Sequence, residues 1–155
     1  MTLLVKLAKY LTWANDTMWE IVESLSDEEF DRTLCETGGS LHSRYIHLAV
    51  DTWEWYHDWH GEEPEEPDFQ GMTRSELYKF ITEYVEKWIN MIEERSVNEF
   101  RDERAGKVLT LQFDEMFFHM VNHFTYHRGQ IAMSLKLLGK ETSMTDYVPH
   151  RFSTL

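Results

Sequence analysis

Four long stretches of this chain place apolar side chains three or four residues apart, a period that fits helices and not strands. The first runs from Leu3 to about Leu25, with Leu4, Leu7, Ala8, Leu11, Ala14, Met18, Ile21, Val22 and Leu25 on the repeat. Ser26 followed by Glu29 is a capping-box pattern, so residues 26–32 should start a short extra turn before the Gly38-Gly39 break. Ser40 is a natural N-cap for a second long helix, ending at about His60 where Gly61 can supply a left-handed stop. Thr73 with Glu76 opens a third, with Leu77, Phe80, Ile81, Tyr84, Val85, Trp88 and Ile92 in one stripe and an end near Ser96. A fourth spans about Gln112 to Leu138 and stops at Gly139. Four amphipathic helices joined by loops predict an all-α four-helix bundle, one domain over residues 1–155.

The connections are informative as well. EEPEEPDFQG, after Gly61, has two prolines and four glutamates and reads as a long acidic loop. Ala105-Gly106 between FRDER and KVLTL suggests a short hairpin or irregular crossover before the last helix. The tail KETSMTDYVPHRFSTL shows too little periodicity to predict another helix, and no internal repeat is visible.

Charge narrows the partners. Fifteen basic against 28 acidic side chains give a net charge of −13, which repels a phosphate backbone, and Arg101 to Arg104 is interleaved with Asp102 and Glu103 as in a solvated charged turn. Nucleic acid is therefore not an expected partner. Lys6, Lys9 and Asn15 interrupt the apolar N-terminus before a signal peptide or membrane span can form, so a cytoplasmic protein is expected. The single Cys35 suits a reducing compartment and leaves imidazoles and carboxylates to build any metal site.

His119, His123 and His127 recur every four residues on the fourth helix, one turn apart on neighbouring parts of one face. Two such imidazoles can share a metal, but a further ligand must come from a facing helix. Eight histidines in 155 residues can produce the spacing by chance, so a solvent-facing stripe or hydrogen-bonded core histidines fit it too. On the second helix His47 lies among Tyr45, Ile46, Leu48, Ala49 and Val50, where a neutral imidazole needs a partner to offset desolvation.

GSLHSRYIHLAVDTWEW (39–55) together with HMVNHFTYHRGQI (119–131) resembles the DinB family, close to its bacillithiol-transferase-like branch. LAKYLTWAND is similar to that family's opening and MTDYV to its closing segment. The most specific element is NHxxxHRGQ, with the histidine leading into HL as its distant partner. The resemblance implies His47, His123 and His127 as ligands of one divalent metal ion, zinc or nickel, in a helical bundle that is often a homodimer. His119 matches no ligand position.

Three neutral imidazoles leave a fourth position for water or substrate, as in catalytic zinc sites. Such an ion can bring bound water to a pKa of about 7 or hold a thiol as thiolate. The resemblance thus implies a metal-dependent thiol S-transferase or hydrolase, with a low-molecular-weight thiol as candidate substrate. The alternative is a non-enzymatic metal-binding stress-response module acting through its dimer surface. Asp51 and Glu54, one and two turns beyond His47, are candidate bases or hydrogen-bond acceptors beside the site, although acidic residues on bundle helices are commonly solvated. Arg128 and Gln130 flank the ligand and can orient a helix, meet a second copy or bind substrate; Gly129 is expected to permit close helix approach. Trp53, Trp55, Tyr56 and Trp59 cover several faces of the second helix, as a dimer surface or an aromatic-rich core with one exposed ring. His42, His57, His60 and His150 match no motif and are expected at the surface or in packing.

Overall fold

A computed structural model describes residues 2–34, 39–94 and 99–154. The chain is mostly helical: α1 (Leu3–Glu23), α2 (Asp27–Asp31), α3 (Leu41–His60), α4 (Arg74–Glu94), α5 (Phe113–Leu137) and α6 (Tyr147–Ser153), with the strands β1 (Phe100–Arg104) and β2 (Lys107–Leu111) between α4 and α5. Cys35, Gly38 and the expected helix end near Ser96 lie outside the described residues. No helix among the described residues is long and apolar enough to cross a membrane.

Local chemistry sets the helix ends. Ser26 and Glu29 form the reciprocal capping box that starts α2. Ser40 caps α3 by accepting from the Ser43 amide, and Gly61 ends that helix at φ +66, a left-handed conformation that a Cβ disfavours. Residues 62–68, the acidic segment, carry no helix or strand. β1 and β2 pair antiparallel from Phe100↔Leu111 to Arg104↔Lys107, so Arg101 to Arg104 lies on a strand and not in a charged turn. The turn residues Ala105 and Gly106 both have positive φ, which matches the right-handed twist of a tight hairpin.

Helix α6 was not legible in the tail. At seven residues it is too short to display a period, and what holds it is tertiary: Tyr147 packs edge-on against Tyr10, and buried His150 lies against Tyr10 and Trp13.

The four long helices pack in a ring, α1 against α4 and α5, and α3 against α4 and α5. Their inward stripes supply the core, including Leu11, Met18, Leu41, Leu77, Ile81, Trp88, Phe117, Met120 and Ile131. Arg128 is buried within it: its guanidinium donates to Asn15 Oδ1, Tyr10 OH and Thr125 Oγ1, each at 2.9 Å. It therefore ties α5 to α1, joining the HRGQ element to the LAKYLTWAND segment physically. Gly129 is exposed, and a Cβ built there meets nothing within 4 Å, so no close helix approach depends on it.

Candidate metal centre

The site lies where α3 faces α5. On α3 the buried positions Leu41, Tyr45, Leu48 and Thr52 point into the core, so His47 and Asp51, one residue before Leu48 and Thr52, fall on the flank of that stripe. On α5, His127 belongs to the buried set and His123, one turn earlier, is half-buried. The donor atoms of His47, His123 and His127 all lie within 4.8 Å of one another, in a cluster graded from exposed His47 to buried His127.

The hydrogen bonding prepares these donors. His127 Nδ1 is 2.8 Å from Gln130 Oε1, and the same oxygen accepts from Arg44 Nη1. Because an arginine can only donate, that oxygen is an acceptor, the His127 proton sits on Nδ1 and the Nε2 lone pair is left facing the site. His127 Nε2 is 3.1 Å from His47 Nε2. Either His47 carries the proton of that contact or a cation sits between two lone pairs. Burial first, then the charges of His123 and His47, lower the His127 imidazole from about 6.5 to about 4. It is therefore neutral at physiological pH, as coordination requires.

His123 Nε2 is buried and lies 2.9 Å from Asp51 Oδ2, an ion-pair contact. The same oxygen is 3.4 Å from His47 Nε2. Three imidazole donors within 4.8 Å of one another, beside a carboxylate, are a nitrogen-rich set that suits a divalent metal ion. Trp55 meets both His119 and His123 with its ring near perpendicular to theirs, centroids 4.9 Å apart, and so walls the site on that side.

The structure sorts the candidate residues. His47, His123 and His127 come together, and Asp51 borders the first two. Glu54 is exposed, with no hydrogen bond or ion pair to the three imidazoles; partial burial and the nearby charges of Asp51, Asp58 and Glu66 raise its pKa. His119 stands outside the cluster, exposed, against Trp55. Among the α3 aromatics Trp59 is buried and Trp53, Trp55 and Tyr56 are half-covered, so none is the exposed ring that the sequence suggested. Sequence reasoning missed Arg44 and the role of Gln130, although each stands three residues from a ligand candidate on its own helix, a spacing that shares a face.

The sequence profile of the DinB family matches residues 1–154. Protein DinB of Bacillus subtilis (strain 168) is 23% identical over 168 residues, an alignment covering 96% of this chain and 94% of that protein. With helical architecture and a histidine cluster in the elements that carry the resemblance, this chain belongs to the DinB family.

Proposed function

We propose that this chain is a one-domain DinB-type four-helix bundle whose His47, His123 and His127 hold one divalent ion, zinc or nickel, for chemistry on a low-molecular-weight thiol or on water. The observation that carries this reading is the convergence of three imidazole donors within 4.8 Å of one another. Neutral imidazoles suit both metals. When bound, such an ion makes water or a thiol available as hydroxide or thiolate near neutral pH. The chain's own contribution is to fix the donors: Gln130 holds the His127 tautomer, and Trp55 walls one side. The His47 side chain is 47% exposed, which gives a small substrate a way in from solvent. Thiol S-transfer and hydrolysis both fit this arrangement, and the lone cysteine fits a reducing, cytoplasmic setting.

The test compares zinc- or nickel-loaded wild type with His123→Ala and His127→Ala. Wild type should conjugate L-cysteine with 1-chloro-2,4-dinitrobenzene, or hydrolyse p-nitrophenyl acetate, faster than either variant. Equal rates in all three, with metal bound to wild type, would remove the catalytic reading and leave the metal site.

One observation favours a second reading, a non-enzymatic metal-binding stress-response module acting through a homodimer surface. Phe118, Tyr126, Met133 and Leu137 are each about 60% exposed and follow the helical repeat along one side of α5. A dimer on sedimentation that Tyr126→Glu with Met133→Glu dissociates, with metal binding retained, would support that surface.

A further inference from the structure

The apolar repeat of α1 runs out of the core toward the start of the helix. Leu11 is fully buried, Leu4 and Leu7 are only partly covered, and Leu3 is 67% exposed. α1 packs against α5, and Leu111 at the end of β2 and Phe118 of α5, 60% exposed, stand around the same opening. Leu3, Leu4, Leu7, Leu111 and Phe118 line a groove of about 640 Å³, inside the range of about 300–1,000 Å³ usual for small-molecule sites.

This groove ends at the flank of the imidazole cluster. His119 and Asn122 line it, Asn122 directly precedes His123, and the His119 ring centroid is 4.9 Å from that of Trp55 and 5.9 Å from that of His123. His119, the member of the four-residue histidine repeat that stands outside the cluster, thus lies between the centre and the groove.

Charge narrows the occupant. Asp114 and Glu115 line the groove as exposed carboxylates, and among the described lining residues there is no lysine or arginine. Both carboxylates lie in the first turn of α5, whose dipole offsets only about half a charge. An apolar wall beside two carboxylates favours a neutral or cationic apolar molecule and disfavours an anion. A second copy placed here on a two-fold axis would bring two carboxylates from each chain into one interface, so a small molecule is the better occupant.

We propose that this groove binds the apolar part of the substrate, a neutral or cationic molecule with an alkyl or aromatic body, beside the metal centre. This rests on the function proposed above and gives the groove the choice of the molecule that thiol or water attacks.

Calorimetric titration of the metal-free protein with n-octylamine, 1-octanol and sodium octanoate tests the groove without depending on any metal. Octylamine and octanol should bind at least about tenfold more tightly than octanoate. Phe118→Ser, at an exposed position, should weaken octylamine binding about tenfold. Asp114→Asn with Glu115→Gln keeps the local acceptors for the Glu115 and Gln112 amides and should bring octanoate toward octylamine in affinity. Octanoate binding wild type as tightly as octylamine, or octylamine binding that Phe118→Ser leaves unchanged, overturns the assignment. No octylamine binding by wild type overturns it too, and a dimer that Phe118→Ser dissociates would then assign this face to a second copy. Cobalt(II)-loaded wild type tests the link to the centre: NMR relaxation of bound octylamine protons should be faster than in the zinc-loaded protein, and equal relaxation overturns the placement beside the ion. Wild type that binds no cobalt overturns the metal-centre reading, while the metal-free titration still decides the groove.

Discussion

Gln130 Oε1 lies 2.8 Å from His127 Nδ1 and is held there by Arg44. This fixes which nitrogen of the most buried of the three clustered imidazoles faces its neighbours, so a residue that need not touch a metal controls one that can. Replacing Gln130 with Leu should weaken zinc or nickel binding by about 10–100-fold, the usual effect of losing such a partner. Gln130→Glu, which keeps the acceptor, should recover most of it. Competition against a chelator of known affinity measures both, and equal affinity for Gln130→Leu and wild type would contradict the role.

Arg128 should matter for stability. Its charge sits in the core among Tyr10, Asn15 and Thr125, and burial lowers its pKa while Tyr10 opposes that shift. Arg128→Met leaves those polar groups without their donor, at a cost of about 2–4 kcal/mol, given about 1–3 kcal/mol for each buried unsatisfied group and partial relaxation. Urea unfolding should show a lower midpoint.

Gly129 makes the opposite prediction. It is an exposed residue inside α5, where a Cβ meets nothing within 4 Å. Gly129→Ala should therefore stabilise the protein by about 0.5–1 kcal/mol through reduced chain entropy and better helix propensity. A loss of stability would show that the neighbouring chain needs the glycine after all.

Acid should weaken the metal-free fold through His127. Its folded pKa, about 4, is below the ordinary value of 6.5. As pH falls, the unfolded chain takes up this proton first, so stability declines from about pH 6.5 to about pH 4, where the loss is complete. Wild type should lose more stability across that window than His127→Gln, in which the titrating group is absent. Parallel urea midpoints for the two would contradict this.

The long helices were legible because their apolar period and their caps are local signals: Ser40, Gly61 and the Ser26-Glu29 box act where the sequence places them. Spacing singled out His123 and His127, but the pairing with His47 depends on α3 packing against α5, and beforehand it rested mostly on the resemblance to the DinB family and on the need for a ligand from a facing helix. Asp51 and Glu54 looked alike in sequence; the small rotation between positions four and seven residues after His47 puts one against the imidazoles and the other in solvent. Arg128 and α6 were harder still, because a buried cation and a seven-residue helix are both defined by distant partners on α1.

The proposed chemistry stands or falls on whether His47, His123 and His127 together hold an ion. Tag-free protein, dialysed to equilibrium against zinc or nickel at pH 7 and assayed for metal by mass spectrometry, tests it most directly. Wild type should carry about one ion per chain, and His123→Ala and His127→Ala far less, because each removes one of three converging donors. Equal, negligible metal in wild type and both variants would contradict a three-histidine metal centre.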